Sequence, residues 1–203
     1  NHRNARAPDR ISVMDYRHAV ATDAPAMAEL FAANHYDALT ERERAEQGFV
    51  QGAFDTESLR SMAEHGTLLV ATDDGYLAGL LGLASPESLT SPPPPVRALL
   101  AAQDSLHWQG HPLRSTSFLL YGPVVVAAAY RGRGVARGLF TEALRSAAGR
   151  ADLLIAFIEL SNQTSWRVHV DGFGMTPLGD FTIGSRTYGV VAAPTHPETG
   201  PGT

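Results

Sequence analysis

The spacing of apolar and polar positions divides the first third of the chain into short elements. It predicts a strand over Asp15 to Ala19 and a helix over Ala24 to Asn34, where apolar side chains recur at helical spacing. A second helical region is predicted over Glu41 to Glu46 and Thr56 to Glu64, with Gly66 as its end. Strands are predicted to follow.

Two pairs of strand-like segments each surround a tight-turn signal. They are Thr67 to Ala71 with Tyr76 to Leu83, and Met175 to Ile183 with Arg186 to Ala192. Asp73-Asp74-Gly75 and Gly184-Ser185 stand at the two turns, where residues that tolerate positive φ favour antiparallel hairpins. Between the hairpins, Ser85 to Arg114 predicts an insertion or lid with a short helix over Val96 to Gln103. Its four prolines, Pro92 to Pro95, are expected to stay outside any helix or central strand.

The third quarter of the chain has the order strand, turn, helix, strand. The strands are Thr116 to Val126 and Leu153 to Leu160, and the helix covers Gly134 to Ala148. Because both strands are apolar on both faces, they are expected to pair in parallel beneath helices. A short helix over Thr164 to Val170 precedes the last hairpin. The sequence therefore predicts an α+β fold built on a mixed sheet.

Composition limits the class of protein. The 203 residues are 44% hydrophobic and 18% charged, which suits one globular domain and excludes a disordered chain. We expect this domain over residues 11–193, with flexible segments at 1–10 and 194–203. No apolar run of about 18 residues and no secretory signal is visible, which predicts a cytoplasmic protein that makes no use of a membrane.

Charge and cysteine content exclude further classes. The chain has no cysteine, which excludes disulfides, zinc-thiolate sites and an acyl-enzyme on a thiol. A formal charge of -5 argues against non-specific nucleic-acid binding. His107 and His111 are four residues apart, but Gly110 and Pro112 break a helix there, so we expect no metal site. The sequence leaves the oligomeric state open and allows a homodimer.

The segment from Gly122 to Phe140 carries the clearest chemical signal, because a glycine-rich turn there joins a strand to a helix. Glycines let the backbone approach a ligand, and the free N–H groups and dipole of a helix start favour an anion such as pyrophosphate. The residues of this candidate anion site are Arg131, Gly132, Arg133, Gly134, Val135 and Ala136. A turn without any ligand is the competing interpretation. A dinucleotide fingerprint would need glycine at Arg137, and a P-loop would need lysine, which the chain lacks.

The segment resembles the cofactor motif of the GNAT superfamily of acyl-CoA-dependent N-acyltransferases. The family pattern Arg/Gln-x-x-Gly-x-Gly/Ala is matched by Arg131, Gly134 and Ala136. The approach Val-x-Pro-x-Tyr-Arg-Gly is matched except at Ala128, where proline is common. A second family motif is matched by Asn162, Ser165, His169, Gly172 and Phe173. The resemblance implies a centrally splayed sheet flanked by helices, and acetyl-CoA as acyl donor with an amine as acceptor.

The resemblance also implies where the cofactor lies. In this family a cleft between the two parallel strands takes the pantetheine arm, which makes the backbone of Val124 and Val126 its hydrogen-bonding partners. Independently, Pro123 cannot donate to a sheet, so Gly122-Pro123 predicts a bulge that leaves backbone groups unpaired. N–H groups near Val124 and Val125 are expected to stabilise the oxyanion. Asn162 and Ser165 complete the expected cofactor site.

The candidate catalytic residues are Glu159, His169 and Tyr121. An amine of ordinary pKa near 10.4 needs a base, whereas a thiolate with a pKa near 8.5 leaves more easily. Glu159 ends an apolar strand and is the candidate base, although such a carboxylate can equally emerge into solvent. Many family members carry a tyrosine general acid where this chain has Val168, so His169, expected to titrate near neutrality, or Tyr121 is taken to replace it.

Two functions remain open on the sequence. The first is an N-acetyltransferase in which a primary amine of a small molecule or peptide attacks acetyl-CoA directly in a ternary complex. The second is a catalytically silent CoA-binding or interaction module, which the departure at Val168 allows. The acceptor cannot be identified, because no motif marks the segments that would select it.

Overall fold

The computed structural model describes residues 13–196, and these form a seven-stranded mixed sheet with helices on both faces and a separate two-stranded sheet. The strands are β1 (Asp15–His18), β2 (Leu68–Asp73), β3 (Tyr76–Ala84), β4 (His107–Trp108), β5 (His111–Pro112), β6 (Phe118–Val126), β7 (Leu153–Glu159), β8 (Thr176–Ile183) and β9 (Arg186–Pro194). The helices are α1 (Ala24–Ala33), α2 (Glu41–Gln47), α3 (Thr56–Glu64), α4 (Pro94–Ala101), α5 (Val135–Ala147) and α6 (Gln163–Trp166). A π turn, Arg167–Gly172, continues α6.

The main sheet has seven strands in the order β1-β2-β3-β6-β7-β9-β8. Neighbouring strands are antiparallel except β6 and β7, which are parallel. The α+β class and the parallel pair predicted from the two apolar strands are confirmed. The last hairpin pairs through β9, which lies directly beside β7, so β8 forms the outer edge.

Helices cover the two faces of the sheet unevenly. On one face α5 buries Leu139, Phe140 and Ala143 against the central strands. On the other face α1 and α3 cover the part of the sheet around β2 and β3, while α4 covers the part around β7 and β9. Each helix has an apolar stripe for its face, and burial of these side chains is the main source of folding free energy. The second face is thereby divided between two helical groups.

Three sequence predictions need correction. Pro94 and Pro95 are the first residues of α4 and do not lie outside it. Proline is tolerated there because N–H groups in the first turn of a helix have no acceptor within the helix. The insertion also contains a two-stranded sheet, β4 with β5, that its sequence did not indicate. The domain extends past residue 193, since Thr195 is buried and its hydroxyl donates to the Ala151 carbonyl at 2.5 Å. The predicted flexible segment 1–10 and residues 197–203 lie outside the described residues.

A bulge in β6 lies opposite Gly82 of β3. Leu81 pairs with Val124 and Leu83 with Tyr121, so the two residues Gly122 and Pro123 face the single residue Gly82. This confirms the predicted bulge. A Cβ added at Gly82 would stand 2.4 Å from the carbonyl oxygen of Gly122, so the strand backbones approach too closely for any side chain. Glycine at position 82 therefore maintains the bulge.

We predict that Gly82→Ala lowers the free energy of unfolding by about 1–3 kcal/mol or more, because relief of the clash requires movement of a strand backbone. Gly172→Ala is the matched control, since its added Cβ would meet only an ordinary contact at 3.6 Å. Urea unfolding of the two variants and the wild type measures the difference. Equal stability of Gly82→Ala and wild type would contradict the tight approach of β3 and β6.

Candidate functional site

Between β6 and β7 the sheet opens. The parallel pairing covers only Phe118–Leu120 with Leu153–Ile155, although β6 continues to Val126 and β7 to Glu159. The bulge at Gly122-Pro123 lies just beyond the last paired residue of β6. The structure thus contains the interruption that the sequence predicted, and it places it at the carboxyl ends of the parallel strands, where open α/β sheets bind ligands.

The backbone direction in β6 decides which groups face this opening. The Ala127 N–H donates to the Ala78 carbonyl of β3 at 2.8 Å, and Val125 is paired opposite Leu80 of β3. Since backbone direction alternates along a strand, the N–H and C=O of Val124 and Val126 point away from β3 and toward the opening. The expectation for Val125 is wrong on this geometry. Its backbone is directed to β3, and its side chain is buried against the α1 face.

The turn before α5 presents an open helix start. Gly132 and Gly134 have φ angles of 73° and 80°, in the left-handed region that favours glycine. Among residues 13–196, no atom other than those of the chain neighbours lies within 4 Å of the point where a Cβ would stand at either glycine, and no side chain in this range caps the helix at Gly134. The N–H groups that begin with Val135 and Ala136 are those that a helix leaves unpaired in its first turn. This arrangement suits an anionic group.

The two arginines of the turn have different surroundings. The Arg131 guanidinium donates to the side-chain oxygen of Asn34 at 2.6 Å and to that of Gln47, so it joins the turn to α1 and α2. Partial burial lowers the pKa of Arg131 from its usual value. The Arg133 guanidinium lies over the ring of Tyr130 at 5.5 Å and is exposed. Of the two charges expected at the rim of the anion site, Arg133 is the one left uncommitted by side-chain hydrogen bonds in the described residues.

Glu159 ends β7 in a network of polar side chains. Its carboxylate accepts hydrogen bonds from Gln51 Nε2 at 2.5 Å and from Ser161 Oγ at 2.8 Å. The Tyr188 hydroxyl donates to the Gln51 side-chain oxygen at 3.2 Å. Arg186 Nη1 lies 3.7 Å from the carboxylate, and 13% of the Glu159 side chain is exposed. The carboxylate is therefore held in one orientation instead of emerging freely into solvent.

Gln51, Tyr188 and Arg186 were missed by sequence reasoning. Gln51 stands in a polar connection between α2 and α3 and is 108 residues from Glu159 in the sequence. Tyr188 reads as one more apolar position in a strand. The pairing of Glu159 with Tyr188 across β7 and β9 brings the two β9 side chains to the carboxylate, and Gln51 reaches it from the connection between α2 and α3.

His169 and Tyr121 form a buried pair. The His169 Nδ1 lies 2.8 Å from the Ser165 carbonyl, which can only accept, so Nε2 accepts from the Tyr121 hydroxyl at 3.3 Å. Burial lowers the pKa of His169 and raises that of Tyr121. The expectation that His169 titrates near neutrality is therefore wrong, because desolvation disfavours the imidazolium. At neutral pH the ring is neutral and the phenol keeps its proton.

Asn162 and Ser165 organise the segment that follows β7. The Asn162 side-chain amide donates to the Phe49 carbonyl at 2.9 Å, and its oxygen accepts from the Ser165 N–H at 3.3 Å, which caps α6. A Cβ at Gly48 would stand 2.9 Å from that oxygen. Asn162 thus fastens the α2–α3 connection to the end of β7. Both residues lie beside the opening, and their observed partners are protein groups.

Comparisons with known proteins agree on one family. The model of the acetyltransferase (GNAT) family matches residues 25–175. A comparison with the curated proteins finds no match to the chain.

Solved structures share the fold. A putative acetyltransferase, yncA from Salmonella typhimurium with its cofactor acetyl-CoA, is 19% identical, with a TM-score of 0.59 over 94% of this chain and 99% of that one. The diaminobutyrate acetyltransferase EctA from Paenibacillus lautus, in complex with L-2,4-diaminobutyric acid and coenzyme A, is 16% identical, with a TM-score of 0.57 over 93% and 99%. The ribosomal-protein-alanine N-acetyltransferase from Brucella melitensis is 22% identical, with a TM-score of 0.56 over 88% and 98%.

The described part of the chain offers neither a grouped set of metal ligands nor a membrane-spanning helix. Within residues 13–196 no three His, Asp or Glu side chains are grouped as metal ligands. None of the helices in this range has the length and apolar character that crossing a bilayer requires.

We predict that His169 makes stability depend on pH. Because its folded-state pKa lies below that of an unfolded histidine, about 6.5, its contribution is full above that value and is lost as the pH falls below it. His169→Asn should therefore show a weaker fall in the free energy of unfolding between pH 7 and pH 5 than the wild type. Denaturant unfolding across this range measures it, with the exposed His107→Asn as control. If the free energy of unfolding of His169→Asn depended on pH as steeply as that of the wild type, this would contradict the buried, neutral ring.

Proposed function

Because the chain belongs to the acetyltransferase (GNAT) family, we propose that it transfers an acetyl group from acetyl-CoA to a primary amine by direct attack in a ternary complex. The observation that carries the proposal is the opening between β6 and β7, with the glycine turn beyond one strand end and the Glu159 carboxylate at the other. The absence of cysteine removes the thiol route to an acyl-enzyme, which leaves direct attack as the natural course.

The cofactor portion of the site fits the donor. The helix start at Gly132 to Ala136 offers open N–H groups and a positive dipole end for the pyrophosphate, with Arg133 at the rim. The Val124 carbonyl and the backbone groups of Val126 face the opening and would pair with the amides of the pantetheine arm. The Salmonella and Paenibacillus structures, which hold acetyl-CoA and coenzyme A, support this assignment.

Glu159 is the proposed general base. Glu159 ends β7 at the carboxyl edge of the parallel pair, where β6 continues past its bulge to Val124 on the other side of the opening. A carboxylate there can take a proton from an ammonium group as the amine approaches the thioester. Gln51 and Ser161 hold the carboxylate in place, and this lowers the cost of orienting it in each turnover. The Val124 N–H is the proposed partner of the developing oxyanion.

The departing thiolate needs less assistance. Its pKa near 8.5 makes it a good leaving group at neutral pH, and water can protonate it. Tyr121 and His169 were candidates for this proton transfer. Since the raised pKa of Tyr121 makes the phenol a weak acid and His169 is neutral, we assign the pair a positioning role at the start of the opening.

The silent CoA-binding module is the second candidate. It is favoured by Val168, which stands where many family members carry a tyrosine that acts as general acid. The burial of the Tyr121–His169 pair favours it too. Isothermal titration with acetyl-CoA, followed by thiol release over a panel of amines, separates the two. Binding with thiol release supports the enzyme, binding without release on any amine supports the module, and no binding contradicts both.

We predict that Gly134→Asp weakens acetyl-CoA binding at least tenfold. Two like charges about 4 Å apart repel by about 1 kcal/mol in water and by more at lower effective dielectric. Any side chain is strained at the φ of 80° of Gly134, but the open space around it brings no clash, so Asp and Asn there differ in charge and not in strain. Gly134→Asn is the control of equal size without charge, and titration calorimetry measures both. Affinity unchanged in Gly134→Asp would remove the turn from the cofactor site.

We predict that Glu159→Gln lowers kcat by about 10²- to 10⁴-fold, the usual contribution of a positioned general base, with acetyl-CoA affinity retained. The exposed Glu64→Gln serves as control. Thiol release and calorimetry are measured on the same preparations. Wild-type rates across the pH range in Glu159→Gln would remove Glu159 from the mechanism.

A further inference from the structure

Arg186 lies beside the proposed base on the side away from the opening. In the sheet order β6-β7-β9, Glu159 of β7 separates β6 from β9. Tyr188 is the cross-strand partner of Glu159, so the two side chains share one face of the sheet. Arg186 is two residues from Tyr188 and therefore lies on that same face. The opening, the carboxylate and the guanidinium thus follow one another across the sheet.

The Arg186 guanidinium is held in place and is accessible. It lies over the ring of Tyr36 at 5.3 Å, and the edge of that ring meets Phe49 in a T-shaped contact at 4.9 Å. The Arg186 side chain is 44% exposed, whereas that of Glu159 is 13% exposed. Tyr36 and Phe49 therefore form a wall beside the guanidinium, and a hydrogen bond with the Tyr188 side chain also holds it and raises the pKa of Arg186.

The contact between Arg186 and Glu159 leaves most of the guanidinium available. At 3.7 Å the ion pair is longer than a hydrogen bond, and Gln51 already donates to the same carboxylate oxygen at 2.5 Å. Arg44, the other arginine over Tyr36, is committed, because it donates to the carbonyls of Tyr36 at 3.0 Å and Leu39 at 2.6 Å. Arg186 also contacts Tyr188, but a guanidinium has five N–H donors and this side chain is 44% exposed, so Arg186 is the cation of the cluster with donors left for a ligand.

The Glu159 carboxylate and the exposed Arg186 guanidinium beside it favour some amines over others according to their charge. A simple cationic amine gains from Glu159 but is repelled by Arg186, which lies within 4 Å of the same oxygen. An amine that carries its own negative group gains from both, since guanidinium and carboxylate form strong two-point hydrogen bonds. The direction across the sheet places the amine toward the opening and the negative group away from it.

We propose that the acceptor is an amine bearing a carboxylate a few bonds from its nitrogen, and that Arg186 binds this carboxylate. The inference rests on the proposed function, because it takes Glu159 as the group that receives the amine proton. Arg186 acts as a specificity-determining residue. It holds the far end of the acceptor while the nitrogen faces the thioester.

The test compares acceptors that differ only in this charge. β-Alanine and β-alaninamide are one pair, and 4-aminobutyrate and 4-aminobutyramide are another, with rates compared at equal concentrations of free amine. We expect wild-type kcat/KM to be at least about tenfold higher for the carboxylate member of a pair. Arg186→Gln should abolish this preference by loss of the carboxylate member, with rates on the carboxamide retained. Arg186→Lys should restore part of it, and the exposed Arg60→Gln should match the wild type.

The outcomes separate this inference from the proposed function. Acetylation of the carboxamides as fast as the carboxylates, or a preference that persists in Arg186→Gln, overturns the role of Arg186 and leaves the acetyltransferase intact. If no amine is acetylated although acetyl-CoA binds, the proposed function fails instead. In that case thermal shift with N-acetyl-β-alanine against its amide still tests the site. Selective stabilisation of wild type over Arg186→Gln by the carboxylate supports carboxylate binding by Arg186, and equal shifts contradict it.

Discussion

The early end of the parallel pairing between β6 and β7 is the constraint on which the site depends. Two strands that pair for three residues and then separate leave peptide groups unpaired inside a sheet, which folded proteins otherwise avoid. The bulge at Gly122-Pro123 and the close approach of Gly82 fix this separation from the β3 side. On the other side, full antiparallel pairing with β9 holds β7 straight to Glu159. The opening is therefore set by the pairing partners of both strands.

Much of the fold follows from local sequence signals. The Asp-Asp-Gly turn, the apolar strands around α5 and the glycine-rich helix start each express a backbone preference that a few residues decide. The position of β9 between β7 and β8 could not be predicted this way, because the local signals of a hairpin do not show which of its two strands pairs with the rest of the sheet. The prolines of α4 were misjudged for a related reason. Proline is excluded from a helix interior but favoured in its first turn, and the sequence does not show which of these a given residue occupies.

In the candidate site, too, the features set by neighbouring residues could be predicted and those set by long-range contacts could not. The turn from Arg131 to Gly134 is contiguous, so its open helix start could be predicted. Val124 and Val126 were expected only from the family resemblance, and the pairing of β6 with β3 is what separates them from Val125. The surroundings of Glu159 could not, since Gln51 reaches it from the connection between α2 and α3, and Tyr188 and Arg186 reach it from β9. The sequence also did not show that His169 is buried. His169 was expected to titrate near neutrality, and desolvation by Tyr121 and Phe173 prevents this.

The opening also amounts to two sheet edges that lie in the middle of a protein. An edge with free N–H and C=O groups is a template on which another extended chain can add as a strand. Here the template is short, because Pro123 has no N–H to give and only Val124 and Val126 present their backbone groups on the β6 side. These backbone groups are too few to bind an added peptide strand, but they are enough for a slender arm that carries only two amides. The same proline that interrupts the sheet thus protects its inner edge from strand addition.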